Sequence, residues 1–352
     1  MKESRRWLAN IMVIGTLVFS AGALAQHDPV NPNATPEARE LLEYIYSISG
    51  NQIMTGQHAA PLMDSIPLSV THRMTGNYPA LYGQDFGFSF PGYWDGINFR
   101  QRIVDEAIRR HEQGFVISLM WHAVTPILDE PVAFRPGVQT ENSENHLTDD
   151  QWQELITPGT HLNDRWKSQV DVIAWFLKQL EYAEVPVLWR PYHEMNGGWF
   201  WWGKREGEDG YKKLWIMLYE RLTNFHGLDN LVWVYNTNEF KEGVNPHVTH
   251  FPGHEYVDIF ATDVYSEGYN QVNYDTLLEL AEDKPIALGE VGDAPSLEVI
   301  RAQPRWSWFM RWGDPGGRTM FEVFGAEESI KLKDLPWVNM ENPKIHYPLL
   351  LE

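Results

Sequence analysis

Short apolar runs alternate with amphipathic stretches along most of the chain, and the two kinds of segment keep different periods. Strand-like runs fall at 52–56, 79–86, 115–121, 185–191, 231–235, 259–264, 285–289 and 307–312. Between them, apolar residues recur every three or four positions, most clearly over 98–111, 165–182, 211–226 and 274–282. Within 165–182, for example, Val170, Ile173, Ala174, Leu177 and Leu180 share one face of a helix. The runs Val116-Ile117-Ser118-Leu119-Met120 and Val185-Pro186-Val187-Leu188 are apolar on both faces. Parallel strands covered by helices need that pattern, whereas an antiparallel sheet with one wet face does not. Eight such strands alternating with helices predict a (β/α)8 TIM barrel rather than an open doubly wound sheet.

Nothing resembling a linker, a repeat or a low-complexity block divides residues 26–352, so they are expected to form a single domain. After a Pro/Asn-rich lead-in at 27–36, the longest irregular stretch is 125–159, with Pro126, Pro131, Pro136, Gly137 and Pro158. It follows the third strand. Loops in that position lie on the C-terminal face of a barrel, so this one is expected to shape a cleft. The loop Gly313-Asp314-Pro315-Gly316-Gly317 follows the eighth strand, and the tail from Glu327 is too short for an added module.

Charge narrows the partners. Twenty-eight basic against 48 acidic residues leave a formal charge of −20, which would repel nucleic acid or an anionic membrane. Sixteen tryptophans add a second signal. Most should pack in the core, but several stand beside Gly, Pro or polar residues, where a flat ring could stack on a sugar. Residues 1–25 read as a secretory signal peptide. Lys2, Arg5 and Arg6 precede the apolar run from Ile11 to Phe19, and Ala23-Leu24-Ala25 supplies small residues for cleavage. The run is short for a membrane anchor. A secreted or periplasmic protein free of the membrane after cleavage is therefore expected. With no cysteine in these 352 residues, the core and not disulfides must hold the fold.

Barrel chemistry sits at the C-terminal ends of strands. Strand three ends in Trp121-His122, strand four in Arg190-Pro191-Tyr192-His193-Glu194-Met195-Asn196, strand six in Asp263-Val264-Tyr265 and strand seven in Gly289-Glu290-Val291-Gly292. Glu194 and Glu290 would then face each other across the mouth. A glycosidic bond needs such a pair, one carboxyl to protonate the leaving oxygen and one to attack or assist attack at the anomeric carbon. A strand-end glutamate more often pairs with a cation or caps a helix. Here apolar, aromatic and glycine neighbours would make an unpaired structural carboxylate costly.

The residues themselves then point to a family. The segment Val187 to Gly197 (VLWRPYHEMNG), followed by Trp199-Phe200-Trp201-Trp202-Gly203, resembles the signature of glycoside hydrolase family 26. Ala287-Leu288-Gly289-Glu290-Val291-Gly292, Gly56-Gln57-His58, Trp121-His122 and the segment 304–310 extend the resemblance in order along the chain. It implies a barrel with the acid/base on strand four, Glu194, and the nucleophile on strand seven, Glu290. It also implies retention of configuration, which requires the carboxyls about 5–5.5 Å apart. By the same resemblance His193 enters the site and Tyr265 donates a hydrogen bond to Glu290. Arg190 supports that carboxylate from below, while His122 and Asp263 contact sugar hydroxyls. Trp199 walls the subsite, as would Trp308 from strand eight. His122, His193 and Arg190 could equally form a strand-end network that holds the mouth together.

Most family members act on β-1,4-mannan, so the implied partner is a β-mannan polysaccharide or manno-oligosaccharide, cleaved by an endo mode. The same mechanism on β-1,3-xylan or mixed-linkage glucan, or exo-release of mannobiose, stays open. So does a secreted carbohydrate-binding barrel without activity. No cofactor or metal is implied. A zincin pattern would need a histidine where Gly197 stands, and no G-x-S-x-G, Walker or G-x-G-x-x-G motif occurs.

Overall fold

The computed structural model describes residues 27–59, 66–75, 77–88, 96–240, 242–243, 245–265 and 268–312. The segment 1–25 expected to be a signal peptide, the loop from Gly313 and the tail lie outside these residues. Eight parallel strands close into a barrel in sequence order: β1 (Met54–His58), β2 (Leu81–Asp85), β3 (Val116–Trp121), β4 (Val187–Pro191), β5 (Leu231–Asn238), β6 (Ile259–Val264), β7 (Ile286–Val291) and β8 (Trp306–Arg311). Pairing of Met54 with Trp308 and of Gln57 with Arg311 joins β1 to β8. Every residue of β3, β4, β6 and β7 is buried, as runs apolar on both faces require.

Helices α1 (Pro36–Ile48), α2 (Ile66–Thr75), α3 (Arg100–Glu112), α4 (Phe134–Gly137), α5 (Asp149–Ile156), α6 (His161–Tyr182), α7 (Tyr211–Tyr219), α8 (Pro246–Thr249), α9 (Gln271–Ala281) and α10 (Leu297–Ala302) complete the chain. Helix α6 shows how the sequence makes them. Thr160 caps it by accepting from the Asn163 N–H, and Leu162, Trp166, Val170, Ile173, Leu177 and Leu180 form its buried stripe.

Most element limits shift by a few residues from expectation, and some differences are informative. β1 and β5 run further than the apolar pattern, to His58 and Asn238. Polar residues there satisfy the barrel ladder, with Gln57 beside Tyr82 and Asn238 beside Asp263. The expected helix 211–226 splits into α7 and a π-helical segment, Glu220–Phe225. The stretch 125–159 is not irregular throughout, because it contains α4 and α5. A capping box joins Thr148 and Gln151 at the start of α5.

The tryptophans of the strand-four block are structural more often than sugar-facing. Trp201 and Trp202 are fully buried. Their indole N–H groups donate to the carbonyls of Ala123 and His193, each at 2.8 Å. Trp166 on α6 donates to the Tyr192 hydroxyl at 2.9 Å. These bonds satisfy polar groups of the barrel rim where no ladder reaches, and so hold the site's floor rigid.

Candidate active site

The mouth of the barrel is built from the ends of β2 to β8. Glu290 lies in β7, and a register shift between Thr262 and Asp263 sets Asp263 opposite it. Bulges of this kind re-aim side chains beside active sites. Gly289, just before Glu290, has no room for a side chain. A Cβ there would stand 1.6 Å from Asn236 Oδ1 and 2.8 Å from Asp263 Oδ1.

Glu290 is 4% exposed and receives donors on both oxygens. Arg190 Nη2 donates to Oε1 at 2.6 Å and the Tyr265 hydroxyl to Oε2 at 2.5 Å. His193 Nε2 lies 3.4 Å from Oε1. Arg190 rises from β4 inside the barrel, with Nη1 3.5 Å from Asp263 Oδ2 and 3.4 Å from Asn236 Oδ1. Desolvation opposes its charge, but the carboxylates of Glu290 and Asp263 more than offset this and raise its pKa. The carboxylate is thereby clamped and aimed.

Glu194 sits three residues beyond β4 in a different environment. It is 8% exposed, and its Oε2 accepts from the Trp199 indole N–H at 2.8 Å. Burial, then the negative charge of Glu290, push its carboxyl up to about 8. The two glutamates are thus separated by environment. One is clamped beside a guanidinium, and the other keeps a proton near neutral pH. That division of labour is what an acid and a nucleophile require.

The backbone is strained where Glu194 is presented. Tyr192 (φ 48°) and Glu194 (φ 54°) both lie in the left-handed region, one on each side of His193. Each such residue costs on the order of 1–3 kcal/mol, sustained only when surroundings enforce it. Here the Asn236 carbonyl accepts from the Glu194 N–H at 2.9 Å, and the Tyr211 hydroxyl donates to the Tyr192 carbonyl at 3.0 Å. His193 is 1% exposed. Desolvation, then the charges of His122 and Arg190, hold its pKa well below the usual histidine value, so the ring is neutral.

His122 stands edge-on to His193, with centroids 4.4 Å apart. Its Nδ1 lies 2.7 Å from Asp85 Oδ2, and its backbone N–H donates to Asp85 Oδ1 at 3.0 Å. Burial works against the charge on Asp85, but His122 more than offsets this and holds that carboxyl below the ordinary range. Asp85 is a positioning residue missed from the sequence, although a carboxylate at the end of a barrel strand was visible there.

Trp199 borders the site through its bond to Glu194, and Gly197 permits it. A Cβ at Gly197 would fall 2.3 Å from the Trp199 ring. Gly197→Ala is therefore expected to displace the indole, break its bond to Glu194 and lower kcat/KM roughly tenfold or more. Stopped assays beside a circular-dichroism melt would separate this from unfolding. The insertion 125–159 braces the same loop. The N–H of Thr140 donates to the Trp199 carbonyl at 2.9 Å, and Gln139 forms a bridge with Phe200. Phe134 meets the ring of His122 at 5.7 Å.

Two expected contacts are corrected. Trp308 does not wall a subsite. It is 2% exposed, paired with the first residue of β1, one layer below the carboxylates. The tryptophan at the mouth is Trp312, the residue after β8, stacked on His58 at 4.2 Å and 6.0 Å from His122. Asp263 does not face sugar hydroxyls either. It is wholly buried beneath the glutamates, where desolvation and the charge of Glu290 push its carboxyl well above the ordinary range.

His193, Glu194 and Asp263 each bring one possible ligand atom to within 4.8 Å of one another. The positive charge at this spot is already supplied by Arg190, 3.5 Å from Asp263, and a divalent ion beside it would be repelled. EDTA is accordingly expected to leave hydrolysis intact, and complete loss that zinc restores would overturn the two-carboxylate chemistry.

The sequence matches the family described as glycosyl hydrolase family 26 over residues 30–322. The chain belongs to glycosyl hydrolase family 26. It is 36% identical to a mannan endo-1,4-β-mannosidase of Thermothelomyces thermophilus, an alignment covering 81% of this chain and 56% of that protein. With 51% of a Piromyces relative also covered, the chain spans about half the length of these curated relatives. Among solved family 26 structures, GH26A from Muricauda sp. MAR_2010_75 is 41% identical with a TM-score of 0.80, covering 88% of this chain and 98% of that one. The GH26-CBM35 β-(1,4)-mannanase of Podospora anserina is 32% identical, TM-score 0.74, covering 91% and 70%. Family 26 members therefore share this closed barrel.

Proposed function

We propose that this family 26 chain is a retaining glycoside hydrolase that cleaves β-1,4-mannosidic bonds in mannan, galactomannan or glucomannan by an endo mode. Glu194 is the acid/base and Glu290 the nucleophile. The observation that carries the reading is the contrast between the two buried carboxyls: Glu290 clamped by Arg190 and Tyr265, Glu194 raised to about 8.

In the first half-reaction Glu290 attacks the anomeric carbon while Glu194 gives its proton to the leaving oxygen. In the second, Glu194 takes a proton from water, which displaces Glu290 with a second inversion. His193, which is neutral, and His122, which Asp85 aims, offer ring nitrogens to the sugar at the bond being cut. Trp199 and Trp312 supply flat surfaces on either side. The relatives named as mannan endo-1,4-β-mannosidases favour mannan over β-1,3-xylan or mixed-linkage glucan. A polymer too large to enter a cell fits export by the segment 1–25, and amino-terminal sequencing of the exported protein beginning before Gln26 would contradict cleavage there.

The test is a reducing-sugar assay with product chromatography on linear β-1,4-mannan, galactomannan, β-1,3-xylan and mixed-linkage glucan. An early ladder of manno-oligosaccharides is expected. Mannobiose alone would replace the endo mode with an exo one. Inactivity on all four would leave a carbohydrate-binding barrel.

A further inference from the structure

The outer face of α6, opposite the stripe packed on the barrel, carries large rings in solvent. Trp175 is 60% exposed and Tyr182 80%, while Phe225 on the neighbouring π-helical segment is 68% exposed. Isolated exposed apolar residues need no explanation, but clustered aromatics do. Trp175 and Tyr182 lie seven residues apart on α6. That is two turns and ~10.5 Å along the axis, so they share a face.

Phe225 is the more telling residue. Leu214, Leu218, Leu222 and Phe225 recur at helical spacing, and an α-helix continued from α7 would carry Phe225 onto the buried face. The chain instead widens into a π-helix over Glu220–Phe225, with the His226 N–H donating five residues back to the Arg221 carbonyl at 3.0 Å. A π turn holds more residues than an α turn, so each side chain lags its α position. Phe225 is rotated out to water. Such segments are rare and concentrate at functional sites.

The two elements are locked together beneath the rings. Arg221 donates from Nε and Nη2 to the two oxygens of Asp171, both at 2.7 Å, and His226 Nε2 lies 2.7 Å from Asp171 Oδ1. Lys178 donates to the Gly227 carbonyl at 2.7 Å. Arg221 also lies 4.4 Å from the Phe225 ring centroid, and Lys178 5.8 Å from that of Tyr182. The nearby charges are engaged with one another, and three flat apolar rings on these joined elements face water.

We propose that Trp175, Tyr182 and Phe225 form a second carbohydrate-binding surface, outside the cleft, that stacks on sugar rings of an extended neutral polysaccharide. This rests on the reading of the cleft as a polysaccharide hydrolase and adds a site that holds the polymer beside it. Exposed planar rings on one surface suit a chain whose sugars turn apolar faces outward. An anionic polymer or lipid surface would be repelled by a chain of net charge −20. A second copy would meet the same repulsion. Three partly exposed rings also bring well under the ~800 Å² per partner of a standard stable interface.

Depletion from suspensions of insoluble β-1,4-mannan, cellulose and xylan tests this, using the Glu290→Gln chain to prevent cleavage. A soluble manno-oligosaccharide too short to reach both surfaces keeps the cleft filled. Combining Trp175→Ala, Tyr182→Ala and Phe225→Ala is expected to weaken retention roughly tenfold or more. In the otherwise wild-type chain the same triple change should leave kcat/KM on soluble oligosaccharides and the melting temperature unchanged, while slowing attack on insoluble polymer. Retention equal to the parent on every glycan, or no retention of the parent on any, would overturn the proposal. So would a concentration-dependent dimer in sedimentation that the triple change abolishes. Loss of retention on cellulose or xylan in a chain that cleaves no mannan would uphold this surface and sink the mannanase reading instead.

Discussion

Glu290→Ala is expected to abolish turnover on every substrate, with kcat falling on the order of 10⁵-fold, the scale of removing a covalent nucleophile. The reason is structural as well as chemical. No other carboxyl among the described residues is held by both Arg190 and Tyr265, and Asp263 is buried too deep to substitute. With an activated aryl mannoside, azide should restore turnover by entering the vacated space and yield the α-glycosyl azide. A β-product would show that the other glutamate is the nucleophile. Alanine also strips Arg190 of its main partner, and breaking a buried ion pair can cost about 3–5 kcal/mol. Glu290→Gln, which keeps the shape, therefore serves as the folding control. It should be equally inactive and not rescued.

Glu194→Ala should divide substrates by leaving group. Polysaccharide and unactivated oligosaccharides need a proton at the departing oxygen, and loss of that transfer is expected to lower kcat/KM by about 10²–10⁴. An aryl glycoside with a good leaving group should be attacked at nearly the normal rate, then stall as glycosyl-enzyme because no base activates water. Equal losses on both substrate types would remove Glu194 from the acid role. The pH profile follows from the same carboxyl. Its folded value of about 8 lies above that of a free glutamate, so the acid form is present below it. Activity on natural substrates should fall as pH rises through about 8, and an aryl substrate in the Glu194→Ala chain should lose that limb. Stability has the same sign. A group whose pKa is raised by folding stabilises the native state fully below its unfolded value and loses that contribution as pH rises through the folded one. Glu194→Gln should accordingly melt higher than the parent at pH 9, by a smaller margin at pH 6, and the margin should vanish only below about pH 4.

Much of this could be read along the chain, because a barrel's strands are buried on both faces and its chemistry falls at their ends. The eight runs stand where residue types and spacing placed them, with Glu194 and Glu290 at the ends of strands four and seven, whereas Arg190 beneath Glu290 and Tyr265 beside it were expected from the family resemblance alone. What misled was depth. Asp263 and Tyr265 are two residues apart at one strand end, yet the first is sealed beneath the pair and the second opens to the mouth. Trp308 and Trp312 differ in the same way, since a strand's rise decides which layer a ring occupies and only Trp312 clears the rim. Gln57, His58, Asn236 and Asn238 are polar residues beyond the apolar runs, and the ladders of neighbouring strands make them β.

Local chemistry along the sequence determined the alternation of strands and helices, the caps, the charge and the pair of glutamates, because each depends on neighbours a few positions away. The tertiary structure alone decided the rest. Closure brought Arg190 and Asp85 against partners 100 and 37 residues distant. It raised one carboxyl by burying it and clamped the other with donors from β4 and the end of β6. It also turned Phe225 outward through a π-helical segment that helical spacing does not announce. Burial, electrostatic coupling and backbone strain are properties of surroundings, and those surroundings exist only once the barrel has closed.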